Sequence, residues 1–318
     1  MKTSKFIKPL VSVGMLFLAL SFVDIDQLVL QLREVSFTTA VVVTFGYALG
    51  QVLSSYKWWL IARSGGLRIP FTSALRAYFI GMYANCFGLG LVGGDVTRAV
   101  LLAGRESKKA QALASVVADR AHGLATLVIV GMIFSINDGR DTISPNFSYF
   151  LFAFLACVIL GWTLGPKIIL GLLAPHNRFR SKIEEIIGVL PKDLWTISYI
   201  TLLSAVFHIF QVWLHWLILD GLGLDISLLV LLGSIPFVSI LCSLPISYQG
   251  VGVRETSYIF FLSSAGLSKE HAILLGAIWF IAVTITGALG GIVAFLSKPR
   301  ASSQTVNFEQ NTEALTEK

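Results

Sequence analysis

Charge is scarce in this sequence: Asp, Glu, Lys and Arg make up 13% of 318 residues, about half the share of an ordinary soluble domain. With 55% hydrophobic residues and a mean hydropathy of +0.77, too few polar side chains remain to cover a water-soluble globule of this size. Apolar surface must therefore face lipid. Cysteine is sparse as well. Cys86, Cys157 and Cys242 lie in apolar runs without CxxC or Cys/His spacing, which excludes a disulfide framework and offers no metal signature. No nucleophile elbow, HExxH or Walker sequence is present, so neither an enzyme nor a cofactor is expected. Gly88-Leu89-Gly90-Leu91-Val92-Gly93 formally matches the dinucleotide fingerprint GxGxxG, but it sits in a membrane-type apolar run without a βαβ unit around it.

What the chain does have is length and apolarity. Runs at Pro9–Phe22, Ala40–Ile61, Gln111–Ile136, Phe147–Leu173, Trp195–Leu219 and His271–Leu296 read as membrane helices. Two more stretches, Ala74–Val92 and Ile226–Leu262, are interrupted by Gly, Pro and charge and read as broken or re-entrant helices. The expected fold is an all-α polytopic membrane protein of about 6–8 spans. Residues 1–39 form a first helix and outer loop, 40–300 the membrane domain, and 301–318 a polar, disordered cytoplasmic tail. Ala19-Leu20-Ser21 would serve as a cleavage site if the first run were a signal peptide; the reading adopted is an uncleaved helix.

The net charge of +6 would suggest nucleic acid in a soluble protein. Sorting the charges by side explains it differently, and no nucleic acid is expected. Only Arg33, Arg140, Arg254 and Lys269 fall on the outer side, and the other 20 of the 24 Lys and Arg fall on the inner side. The positive-inside rule then puts both termini in the cytoplasm of a cell with a cytoplasmic (inner) membrane.

The order span, broken segment, span occurs twice, at about 40–136 and 195–296, with the stretch at 147–173 between. Gly93-Gly94-Asp95-Val96-Thr97-Arg98 in the first break matches Gly250-Val251-Gly252-Val253-Arg254-Glu255 in the second, the arginines standing 156 residues apart. One crossing between two even-numbered units makes them an inverted repeat, and discontinuous helices at corresponding positions mark a transporter's binding region. Gly93, Gly94, Pro245, Gly250 and Gly252 are the expected breaks.

Ionisable residues inside a membrane domain are costly unless paired or hydrated. Asp95, Arg98, Asp119, Arg120, Arg254 and Glu255 are the candidate headgroup-binding residues, the arginines for phosphate and the carboxylates for an amine or for holding the arginines. The plainer alternative is structural pairing of Asp95 with Arg98 and of Arg254 with Glu255. Ser115, Asp119 and His122 share a helix face. His208 and His215 read as interhelical hydrogen-bonders rather than metal ligands. Gly46 with Gly50, Gly161 with Gly165, and Gly287 with Gly291 give the spacing of close helix contacts.

Asn85, Gly93-Gly94-Asp95 and Arg98, then Ala114-Ser115-Val116, Asp119-Arg120 and Gly123-Leu124, then Leu244-Pro245-Ile246-Ser247 and Gly250 to Glu255, together resemble the membrane region of lysylphosphatidylglycerol synthases, the flippase-like or UPF0104 family. The resemblance covers about Ala40–Leu296 and implies a stand-alone version of the lipid-translocating part, without a synthase domain. It departs from the family in having no proline between Asn85 and Gly93, and in placing Gln249 where a small residue is common. The implied cargo is a phospholipid, anionic or aminoacylated, or a polyprenol-linked or hopanoid lipid. A non-transporting subunit that presents lipid to a glycosyltransferase or lipid-modifying enzyme is the alternative. A homodimer is compatible with either.

Overall fold

The computed structural model describes residue 26 and residues 36–297, except 88–89, 104–107, 138–144, 174–179, 192 and 245. The expected first helix, the C-terminal tail and Pro245 therefore lie outside the described residues. Everything else is helix and short connection, and the described residues contain no strand.

The first unit comprises α1 (Phe37–Ser64), α2 (Phe71–Phe87), α3 (Gly90–Ala103) and α4 (Lys109–Asn137). Three linking helices follow, α5 (Pro145–Thr163), α6 (Gly165–Leu172) and α7 (Arg180–Gly188). The second unit repeats the order of the first: α8 (Leu194–Gly221), α9 (Leu228–Ser243), α10 (Val253–Leu262) with a 3-10 turn at Ser263–Ala265, and α11 (Lys269–Leu296). Local chemistry sets several of the starts. The Asp193 carboxylate accepts from the Trp195 and Thr196 N–H groups at 3.0 and 3.2 Å, Ser227 Oγ from Leu229 N–H at 3.3 Å, and Ser268 Oγ from His271 N–H at 3.2 Å.

The long helices α1, α4, α8 and α11 have 28, 29, 28 and 28 residues. At 1.5 Å per residue each exceeds the roughly 30 Å hydrocarbon core of a bilayer. The arms α2, α3, α9 and α10 have 17, 14, 16 and 10 residues, or about 26, 21, 24 and 15 Å. All four are shorter than the long helices, and the two arms of each pair pack against each other. Large apolar side chains such as Phe45, Leu202, Phe260 and Ile292 are exposed, as on a surface solvated by acyl chains. The chain is a multi-pass α-helical membrane protein.

Packing between the units is reciprocal. Helix α4 lies against α9 and α11 against α2, while α1 meets α8 across the middle. Exchanging the units preserves these helix contacts, as an internal two-fold relation requires. One apolar cluster, around Trp58, Ala74 and Ala99, lies within the first unit, and a larger one around Leu231, Phe237 and Leu275 of the second also takes in Val43, Val128 and Met132 of the first.

Two expectations change. The stretch Phe147–Leu173 is not one helix: α5 ends at Thr163, and α6 starts beyond Leu164 at Gly165-Pro166, since proline lacks the N–H that would continue the ladder. Gly161 and Gly165 face open space among the described residues, so their spacing marks no contact there. The other glycine pairs do pack. Gly46 and Gly50 abut Leu214 and Gln211 of α8, and Gly287 and Gly291 abut Cys86 and Tyr83 of α2.

Candidate functional site

The arms α2 and α3 approach closely because Gly81 of one faces Gly94 of the other. A Cβ at Gly94 would stand 2.0 Å from Asn85 Oδ1 and 2.2 Å from the Gly81 carbonyl. Gly93 and Gly94 lie within α3 rather than at the break, so the expected hinge role of Gly94 becomes one of packing. This approach sets Asp95 and Arg98, one turn apart, against α4.

An ion-pair chain results. Asp119 on α4 lies with Oδ1 3.1 Å from Lys57 Nζ of α1 and accepts through Oδ2 from Arg98 Nη1 at 3.1 Å, all three side chains being 5–6% exposed. Arg98 Nε lies 3.2 Å from Asp95 Oδ1, and Arg120 Nη2 reaches the same oxygen at 3.0 Å from the more exposed side. The Arg98 guanidinium also stands over the Trp58 ring, 4.9 Å from its centroid. Lys57, counted among inner-side charges from sequence, is instead a buried partner of Asp119. Its place seven residues before the end of α1 is the signal that marks it. On the shared α4 face, Ser115 accepts from Trp58 Nε1 at 3.2 Å, and His122 Nε2 lies 3.0 Å from Thr201 Oγ1 of α8.

In the second unit the break satisfies its own backbone groups, as a membrane interior demands. Gly250 and Gly252 adopt φ of +77° and +82°, and Gln249 joins them in the left-handed region at +52°. Glu255 reaches back to accept from the Gly252 N–H at 2.6 Å, while Arg254 Nη2 donates to the Gln249 carbonyl at 2.7 Å. Arg254 and Glu255 thus turn to different partners and do not pair with each other. Asp95 and Arg98, by contrast, do pair.

The two breaks meet. Tyr248 Oη and Gln249 Nε2 both donate to the Cys86 carbonyl at the end of α2, Gln249 at 2.9 Å. That carbonyl belongs to the last turn of a helix, where no intrahelical donor remains.

Between them lies a cavity of about 320 Å³. Asp95, Arg98, Arg120 and Arg254 line it, with Tyr47, Asn85, Gln211, His215, Tyr258 and Trp279 among the other walls. Asp119 and Glu255 lie behind the wall. His208 Nε2 meets the Gly123 carbonyl at 3.1 Å, and His215 Nε2 meets Tyr258 Oη at 2.8 Å, so both histidines tie helices together. Buried nitrogens of both units, Arg98 Nη2 and Arg254 Nη1, have no hydrogen-bond partner. No cluster of metal-ligating side chains occurs among the described residues.

Fold and cavity together define a polytopic helical membrane protein whose two broken-helix hairpins enclose a cationic pocket. The profile of the lysylphosphatidylglycerol synthase TM region matches residues 5–291, and the chain belongs to that family. No curated protein and no solved structure matches it significantly.

Proposed function

We propose that the protein is a lipid translocator, holding a phospholipid headgroup in the cavity while the acyl chains remain in the bilayer. The observation that supports this most is the convergence of both hairpins on one pocket presenting Arg98, Arg120 and Arg254. Guanidinium groups with free N–H bonds bind phosphate oxygens, and broken helices at the meeting of two repeats are where transporters hold cargo. Family membership favours lipid handling. The carboxylates that acid–base chemistry would require are engaged by Lys57, Arg98, Arg120 and a backbone N–H, which favours a non-enzymatic role. In this reading the protein resides in the cytoplasmic membrane with both termini inside, following its loop charges.

The test is reconstitution. Liposomes containing the purified protein should move a fluorescent anionic phospholipid between leaflets, read as accessibility to a membrane-impermeant quencher. Arg254→Ala should lower the rate at least tenfold. Protein-containing vesicles no faster than empty ones across a panel of lipids would remove the proposal.

A further inference from the structure

We infer that the hydrogen bonds joining the tips of the two hairpins are a gate of the cavity, with Gln249 as its latch. Release of Tyr248 and Gln249 from the Cys86 carbonyl opens the cavity to one face of the membrane. This goes beyond the translocator reading, since it concerns access to the cavity and holds for whatever the cavity takes.

Helix packing leaves this seam as the place to open. Among the described residues α2 packs against α1 and α11, α3 against α4, α9 against α4 and α8, and α10 against α11, while helices of the two hairpins share no extended interface. The joint between the hairpins is polar and narrow. The Cys86 carbonyl, at the end of α2, accepts from Tyr248 Oη and from Gln249 Nε2, the latter at 2.9 Å. Cys86 and Gln249 both line the cavity, so the joint is part of its wall. A packed apolar seam separates only by losing many contacts at once, whereas hydrogen bonds exchange for bonds to water at small net cost.

The two sides of the joint are held differently. Charge fixes the first hairpin to a long helix, Arg98 of α3 to Asp119 of α4 and Asp95 to Arg120. Arg254 and Glu255 instead serve their own segment, through the Gln249 carbonyl at 2.7 Å and the Gly252 N–H at 2.6 Å. The tip at 248–252 thus forms a self-capped unit that moves against a fixed partner. Gln249 is also strained. Its φ of +52° is left-handed backbone that a Cβ disfavours, and its Oε1 is buried without a partner. Release sheds both costs, so the bonds to Cys86 hold the closed form. Arg254 connects latch and site. Its Nη2 holds the Gln249 carbonyl, while Nη1 has no partner on a residue that lines the cavity, so a ligand drawing this guanidinium pulls on the latch.

Native thiols test the gate in right-side-out and inside-out membrane vesicles. Cys242 lines the cavity and abuts Gly250 beside the latch, and Cys157 is exposed on α5; neither is in a disulfide. A membrane-impermeant maleimide is added, and labelling of each cysteine is read by peptide mass spectrometry in wild type, Tyr248→Phe and Gln249→Met. These variants keep the bulk of the side chain and remove the donor. Each should raise Cys242 labelling from one face about fivefold, the shift in open population from losing one ordinary hydrogen bond. Labelling from the other face, and of Cys157, should stay as in wild type, and the double variant should exceed either single one. Rates equal to wild type from both faces overturn the gate. A rise from both faces, or at Cys157 as well, assigns the bonds to general stability and overturns it too. Lipid movement is followed in parallel in liposomes containing the same variants. Liposomes that move no lipid while Cys242 responds as expected remove the translocator reading and leave the gate.

Discussion

Asp119 is where the buried charges of three helices balance, and replacing it with asparagine tests that directly. The substitution preserves shape and removes one charge. Asp119 lies 3.1 Å from both Lys57 Nζ and Arg98 Nη1, with all three side chains about 94% buried or more. At an effective dielectric of about 20, each contact is worth about 5 kcal/mol of attraction before desolvation is subtracted. Desolvation of three ions offsets most of this, and removing one partner of a buried pair costs about 3–5 kcal/mol because the other charge stays behind. At roughly 2 °C per kcal/mol, a figure suited to a larger domain, Asp119→Asn should lower the melting temperature by about 6–10 °C. Melting of the detergent-purified protein, followed by intrinsic tryptophan fluorescence, provides the readout. The double variant Lys57→Met with Asp119→Asn should recover more than half the loss, because Arg98 keeps Asp95 at 3.2 Å and no lysine is stranded. If the double variant lost as much as the two single variants added together, the three-membered pairing would be wrong.

Gly94→Ala should prevent stable folding, since its Cβ would meet Asn85 Oδ1 at 2.0 Å and the Gly81 carbonyl at 2.2 Å; expression of a monodisperse membrane fraction measures this. Gly161→Ala, at a helical position with none of the described residues within 4 Å, should instead stabilise by up to about 1 kcal/mol, read from the melting temperature. Glu255→Ala should cost about 1–2 kcal/mol by leaving the Gly252 N–H without its acceptor, whereas Glu255→Gln retains an oxygen there and should lose less; melting temperatures rank the two. The Asp193 carboxylate is held below its ordinary value of 3.8, mainly by its hydrogen bonds with Thr196. A group depressed in the folded state contributes stability above its unfolded value and loses it as pH falls through the folded one. Wild-type protein should therefore lose melting temperature below about pH 4 more steeply than Asp193→Asn, whose cap does not titrate.

The charge asymmetry and the six candidate side chains were legible in the sequence because bilayers penalise ionisable groups wherever they occur, so any inside a span is conspicuous. Four of the six, Asp95, Arg98, Arg120 and Arg254, do reach the cavity wall. The face shared by Ser115, Asp119 and His122 is also real, but it packs against α1 and α8 instead of opening into the cavity. Lys57 was missed because a basic residue near a span's inner end is the ordinary product of the positive-inside rule.

Apolar length, caps and the order of breaks are properties of neighbouring residues, and they determined the four long helices, the two hairpins and the repeat. Helix rotation is not such a property here, since apolar residues surround each helix and hydropathy does not mark the inward face. Only tertiary packing decided that Lys57 and Asp119, 62 residues apart, form a pair. The same holds for the donation from Tyr248 to the Cys86 carbonyl, across a separation of 162. Such contacts depend on how two units dock, through Gly46 and Gly50 against α8 and the α11 glycines against α2. A cavity walled by both repeats exists only once that docking is complete.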